Sequence, residues 1–544
     1  MTLPGEPWAL HEDADLLAAL KPSGVNTHRP DRHAQEGLVE WVAARRPGVA
    51  PLHRLDKETS GLLLLARSPA AHRVLGGALA AGGLEKRYLL LCAADTGRPE
   101  RLRCQVPAGR PRRGEGPTPA AETELSRLER RGGWELWEAR PRTGRTHQIR
   151  VHAANLGLPI AGDAAYGGPP GARLFLHAAA LRGPRPAAGP GGAELALEAP
   201  LPEAFRAVLE EGLEPTHPRV VGLAALEARV ALLDPATTQV FVWADRDHDG
   251  VPGLRIERLG EVALVLRFDE RPDPLSPALV EALLGVELPG LPAPRAVVER
   301  RMPRRGPGSA GGEEAATLRL AGGTLLGARF TVQEQGLTFL LDLEASPTST
   351  GLFLDQRETR RRLLGLDLRG KSALNAFAHT GSLSVAAARA GATVLTLDLS
   401  RRYLDWAREN LRLNGLDPAA HDFIYGDALE WLARLGKKGR RFDLVLLDPP
   451  SFSTTGKGRS WSVERDLGRL VALGAALLQP GGTLYVSTNL RRLPWPRFLG
   501  LVEEGLRAAG RVGAIETATL PLDFRSGPQD PPYLKAAWVT AVEA

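Results

Sequence analysis

Four acidic residues sit at the ends of apolar runs, where a side chain can reach a substrate: Asp56, Asp398, Asp427 and Asp448. Residues 52–66 read LHRLDKETSGLLLLA. The run 61–66 predicts a continuous apolar strand, and His53, Arg54 and Asp56 fall on the loop that feeds it. HRLD alone fits a capped turn with a surface ion pair as well as it fits a site. Residues 374–381 read LNAFAHTG. A strand ends here, a glycine turn follows, and a helix begins near Ser382. That arrangement would set backbone N–H groups and a close-approach glycine against a bound nucleotide cofactor. Asn375, Phe377 and Gly381 are the candidate contacts. Asp398 ends the next strand, 17 residues after Gly381, and could accept from both ribose hydroxyls. Asp427, in YGDALEWL, follows the third strand and could bond an adenine amino group. A NAD site would call for G-x-G-x-x-G after the first strand, and that string is missing. Asp448 opens Asp-Pro-Pro-Ser-Phe at the end of the strand FDLVLL, the edge of a parallel sheet where substrates bind.

These sites need several folding units behind them. With 544 residues the chain is too long for one core, and roughly 150 residues per domain gives three or four units. Pro/Gly-rich breaks fall at 183–192, at 210–220, read as the joint between the halves, and at 301–316, read as a long flexible loop. From about residue 372, strand-like and helix-like segments alternate: strands at 372–377, 393–399, 442–447 and 483–487, helices at 383–390 and 403–413. That rhythm predicts a doubly wound parallel sheet. No stretch of ~18 apolar residues suggests a membrane span. The N-terminus lacks the pattern of a signal peptide, so the expectation is a cytoplasmic protein. Two cysteines, Cys92 and Cys104, exclude a zinc ribbon and a disulfide scaffold. Net charge is +6 and the pI about 9.5, with 61 Arg against eight Lys. Arginine suits phosphate and base contacts, which fits an RNA partner. A GC-rich genome would raise Arg, Ala, Gly and Pro together and explains the composition equally well.

The longer string HRLDKETSG followed by LLLLA resembles the RluA-type pseudouridine synthases, whose catalytic aspartate lies in this motif. Other segments agree in order: HEDADLLAALKPSG (11–24), Lys86-Arg87-Tyr88, TGRTHQIRVH (143–152), PIAGDAAYG (159–167) and LHAA (176–179). The resemblance covers about 8–210 and implies a mixed α/β catalytic domain at 1–212 that needs no cofactor. It implies that Asp56 acts at the sugar or ring carbon of a uridine, that Arg150 pairs with Asp56 and keeps it ionised, and that Tyr88 stacks beside the base. Arg54 would fill the gap left by the extruded nucleotide, a plain phosphate contact being the alternative. Arg145 and His147 would shape the loop. No S4-like RNA-binding segment precedes this unit, so RNA selection would come from elsewhere, the back half included.

In the middle, DRDHDG (245–250) matches the start of an EF-hand loop, but Ile256 stands where the bidentate Glu is required and Pro252 interrupts it. No metal is expected. The wider string 245–261 looks like the small β-rich subdomain ahead of some ribosomal RNA methyltransferases, assigned to 222–300 as an RNA-holding unit. An Asp-Pro-Pro-aromatic loop resembles methyltransferases that act on nucleobases. GLFLDQR (351–357) matches a signature of large-subunit ribosomal RNA methyltransferases. This resemblance covers about 225–544, strongest over 351–492. It implies a Rossmann-like class I methyltransferase domain at 317–544 that uses S-adenosylmethionine. Asp448 would be a cofactor contact, with Pro449, Pro450, Phe452, Gln356 and Arg357 around the substrate base.

That family splits into cytosine-C5 and guanine-N7 enzymes. C5 transfer needs a thiolate to attack C6. Here the segment after the late strand reads VSTNLR (486–491), and neither cysteine belongs to this domain. The expectation is guanine N7, with 23S rRNA or a large-subunit precursor as the RNA. The alternative is a ribosome assembly factor with one active half. Oligomeric state is left open.

Overall fold

The computed structural model describes residues 6–107, 121–185, 194–268, 275–302, 317–346, 348–454, 460–526 and 531–543. Of the two loops expected from Pro/Gly content, 186–193 and 303–316 lie outside the described residues.

In the front half one mixed sheet runs, in space, Ala9–Glu12, Leu16–Lys21, Ser60–Ala66, Leu176–Pro184, Glu85–Ala93, Trp134–Pro141, Thr123–Arg131 and Arg101–Cys104. The apolar run of the HRLD string is the Ser60–Ala66 strand, buried at every residue. Leu63 and Leu65 join a large core with Trp8 and Trp41, while Leu62 and Leu64 join a second cluster with Leu75 and Leu197. That period-two split is what a strand covered on both faces requires. The strand meets Leu176–Pro184 in parallel through Ser60 and Gly61 alone. Gly61 has φ +116°, and a Cβ there would lie 2.2 Å from the Ala178 carbonyl oxygen, so only glycine fits. The loop carrying Asp56 therefore enters the middle of the sheet.

The middle region is a five-stranded sheet ordered Val240–Asp245, Leu254–Leu259, Val262–Arg267, Ala296–Arg301, Leu318–Gly323. Its apolar residues divide by face. Phe241, Trp243, Ile256, Val265 and Val297 join the front core, and Val240, Val242, Leu264 and Val298 join the core of the back half. Much of both faces is thus spent on packing, and the sheet welds the halves together. The segment read as a joint leads into the helix Pro218–Val230. Its buried Arg229 forks onto Asp249 at 2.7 and 2.5 Å. The acidic string at 245–250 thus supplies an ion-pair partner. Among the described residues no group of His, Cys, Asp or Glu could hold a metal ion, and no helix is long and apolar enough to cross a membrane.

The back sheet runs Asp422–Tyr425, Thr393–Asp398, Ser372–Ala376, Phe442–Leu447, Leu478–Thr488, Lys535–Glu543, Arg511–Ala518. In order of sequence this is 3-2-1-4-5-7-6; the first five strands are parallel, and Lys535–Glu543 runs antiparallel to both of its neighbours. The winding reverses between Ser372–Ala376 and Phe442–Leu447, so a crevice opens beyond their carboxyl ends.

Two candidate active sites

In the front site the backbone of the Asp56 loop is clamped from one side. Lys21, fully buried, donates from Nζ to the carbonyls of Pro22, Val25 and Lys57 at 3.0, 2.7 and 2.9 Å. Burial pulls its ammonium down to about 7. Ser23 donates to the Glu58 carbonyl at 2.8 Å, and Thr27 exchanges bonds with the Leu55 carbonyl and N–H at 2.7 and 3.1 Å. The Lys-Pro-Ser-Gly turn is therefore a brace for the acid. His53 accepts the Leu64 N–H at 3.1 Å, and burial, helped by the charge of Lys86, drives its pKa down to about 4, so it is a neutral part of the scaffold. Arg54 is exposed on the same loop.

Asp56 keeps 23% of its side chain exposed. His147 Nε2 lies 4.0 Å from its Oδ2. Arg150 does not form the expected pair with it. The Arg150 fork closes on buried Asp163 at 2.7 and 2.6 Å, with Asp56 acting on it only through space. Asp163 wins because it is buried and takes both guanidinium nitrogens in one plane, the strongest geometry available to Arg. His147 heads the helix Gln148–Asn155 in a left-handed conformation, φ 55°, and its Nδ1 shares a hydrogen bond with the Tyr166 hydroxyl at 2.9 Å. Sequence reasoning gave His147 only a loop-shaping part. The THQIR string contained it, but nothing in the string told which of its side chains would face the acid. Tyr88, on Glu85–Ala93, is desolvated and feels the Asp56 charge, both of which raise its pKa. It stays a neutral phenol.

The back site is a cleft of about 2550 Å³ at the crevice, lined by Phe377, His379, Asp398, Asp427, Asp448, Pro449, Pro450 and Phe452 among others. Phe377 and His379 take left-handed conformations, φ 60° and 50°, as the chain turns into the helix Ser382–Arg389. Asp398 accepts the N–H groups of His379 and Ser400, each at 2.8 Å, one on each oxygen. Asp398 lines the cleft, and a carboxylate there can accept from two vicinal hydroxyls. Asp427 caps the helix Ala428–Lys437 through the Glu430 N–H at 3.0 Å. His379 lies between the rings of Phe353 and Tyr403, at 4.9 and 4.2 Å, and burial lowers its pKa to about 4. This neutral aromatic wall suits a flat base, and only folding brings its three rings together.

Two expected cofactor contacts sit behind the cleft instead. Asn375 is 1% exposed and donates to Ser384 Oγ at 2.9 Å. Gly381 caps the helix, where a Cβ would lie 2.6 Å from that of Ala407. Both hold the turn because an inward-facing strand residue and a helix cap point into the core. Arg357 is likewise no pocket residue. It is fully buried between Glu334 and Asp523, at 3.2 and 2.6 Å. Gln356, one position earlier, does line the cleft. Its Oε1 accepts from the Tyr485 hydroxyl at 2.6 Å. Ser487 donates to Asp448 at 2.5 Å. Burial lifts Asp448 to about 6 against that hydrogen bond. The Pro450 carbonyl is taken by Trp461 Nε1 at 2.7 Å, so it anchors the Pro-Pro turn. Phe452 is 65% exposed at the rim.

The two sites and their sheets define a multidomain α/β protein in which a carboxylate site of synthase type is joined to a nucleotide cleft of class I methyltransferase type. Residues 15–155 match the family described as RNA pseudouridylate synthase. Residues 312–536 match the family described as S-adenosylmethionine-dependent methyltransferase. Among curated relatives, 200 residues are 44% identical to the ribosomal RNA large subunit methyltransferase K/L of Allochromatium vinosum, covering 36% of this chain and 26% of that protein. A stretch of 202 residues is 38% identical to the ribosomal RNA large subunit methyltransferase K of Neisseria meningitidis, covering 37% and 54%. The chain thus spans between about a quarter and a half of the relatives it matches. A methyltransferase solved in complex with SAH shares the fold, with TM-score 0.52 and 24% identity over 60% of this chain and 82% of that one.

Proposed function

We propose that the chain is a bifunctional RNA-modifying enzyme, forming pseudouridine at Asp56 and methylating guanine N7 in large-subunit ribosomal RNA at the Asp448 cleft. The reading rests on one observation made twice: each matched domain presents a carboxylate at an open site, Asp56 on its braced loop and Asp448 in the crevice. Domain limits of 1–212, 222–300 and 317–544 follow the same reading, with the middle sheet as a shared wall.

In the front site the uracil N1–C1′ bond breaks and a C5–C1′ bond forms. The proton leaving C5 is balanced by one taken up at N1. Asp56 acts on the sugar or ring carbon, Arg150 supplies positive charge through space, and the His147 ring lies beside it. Tyr88, a neutral phenol, packs against the base. In the back site Asp398, Asp427 and the 377–381 turn would hold S-adenosylmethionine, which would supply an electrophilic methyl group. Guanine N7 brings its own lone pair, so placement suffices. Methylation at N7 would leave a positive charge on the guanine ring. Asp355 and Asp448 both line the cleft and favour that charge. Both cysteines lie in front-sheet strands, so a C5 route lacks its thiolate.

Purified full-length protein, precursor ribosomal RNA tritiated at uracil C5 and labelled S-adenosylmethionine test both halves at once. Tritium release that survives in Asp56→Asn refutes the front reading. Methyl label that is absent, or that resists cleavage chemistry for 7-methylguanine, refutes the back one.

A further inference from the structure

The Asp56 loop is held from its second side by the other enzyme half. Lys57, next to Asp56, donates from Nζ to the Ser526 carbonyl at 2.9 Å. Arg525 donates from Nη1 to the Ser23 carbonyl at 2.5 Å, in the turn that braces Lys57 and Glu58. Gly24 leaves room for it: a Cβ there would stand 1.8 Å from Arg525 Nη1. The guanidinium is only 10% exposed, and its Nε lies 3.4 Å from Asp249, in the turn between the first two strands of the middle sheet. Gln35 of the front half adds donors to the Pro521 and Phe524 carbonyls at 2.6 and 2.7 Å, and accepts from Ser526 Oγ at 2.7 Å. The same short segment reaches the back site. Asp523 pairs with Arg357, and Phe524 lines the methyl-transfer cleft.

Among the described residues, the hydrogen bonds from 521–526 to the front half fall on Ser23, Gln35 and Lys57. A surface built for adhesion alone would not need a buried cation pointed at the carbonyl of a loop-bracing turn. We infer that Arg525 is a positioning residue of the pseudouridine site, contributed by the methyltransferase half. It touches no substrate and acts by fixing the Ser23–Gly24 turn and, through Lys57, the height of Asp56. A carboxylate that must meet one carbon of an extruded nucleotide loses rate when its loop drifts by an ångström. The inference rests on the reading of Asp56 given above.

The test uses full-length protein in four forms: wild type, Arg525→Ala, Arg525→Lys and Lys57→Met. Pseudouridine formation is resolved into kcat and KM, and S-adenosylmethionine affinity is measured by calorimetry on the same samples. Arg525→Ala is expected to lower kcat for pseudouridine by about tenfold or more, with KM and cofactor affinity within about twofold. Arg525→Lys, which keeps a donor for Ser23, should recover part of the loss. Lys57→Met cuts the tie from the opposite side, leaves the buried charges in place and should show the same kcat-only defect. If Arg525→Ala and Lys57→Met both keep kcat within about twofold of wild type, the inference is overturned. It is equally overturned if Arg525→Ala loses cofactor affinity and pseudouridine formation together, which marks a structural residue. A wild type that forms no pseudouridine instead overturns the reading of Asp56 itself.

Discussion

Replacing Asp448 with Asn should stabilise the protein while it damages methyl transfer, and the stabilisation should depend on pH. Burial raises the Asp448 pKa from 3.8 to about 6 against the Ser487 hydrogen bond. The unfolded chain keeps the ordinary value, so between those two pH values the folded state holds the extra proton. Stability then falls as pH rises through that window, and the full cost is present above about pH 6. A shift of roughly two units is worth at most about 3 kcal/mol at ~1.4 kcal/mol per unit, and water in the cleft screens this to about 1–2 kcal/mol. Asn keeps an acceptor for Ser487 without a charge to desolvate. Denaturant unfolding of cofactor-free protein should therefore show the variant ahead by about 1–2 kcal/mol at pH 8 and level with wild type near pH 4. An equal gain at both pH values, or a loss at pH 8, would sink the argument that burial sets this carboxyl.

Three further outcomes are expected. Arg357→Met should cost about 3–5 kcal/mol in unfolding experiments, because it leaves Glu334 and Asp523 buried with less positive charge beside them, although Arg360 also reaches Glu334; a near-neutral change would show that the charges relax to water. Gly61→Ala meets the Ala178 carbonyl at φ +116°, so melting should drop and pseudouridine formation should fall with it. A stable, active variant would mean that the strand can slide. The double variant Cys92→Ser/Cys104→Ser should retain methyl transfer at the wild-type rate, since both thiols lie in the front sheet. Loss of transfer without loss of folding would bring a thiol route back.

The chemistry-bearing strings were legible because each is local. A strand, a turn and an acid lie within fifteen residues, as in 52–66 or 442–452, and such spacing fixes where the acid leaves the sheet. The strand rhythm after residue 372 gave the parallel sheet for the same reason. Errors came at side chains whose partners are distant in the chain. Arg150 could not be assigned from its neighbours, because Asp163 and Asp56 are both acids within plausible reach and only burial chooses between them. Arg357 reads like its neighbour Gln356, yet helical geometry turns one into the core and the other into the cleft.

By itself, then, the sequence carried the two sets of motifs and the elements that hold them, since backbone preference and apolar period act over a few residues. Tertiary structure alone decided which face of the middle sheet serves which half, and brought residues 23, 57, 249 and 525 to one point. Those are packing outcomes between segments hundreds of residues apart, settled by which buried charges find partners when the halves close on each other.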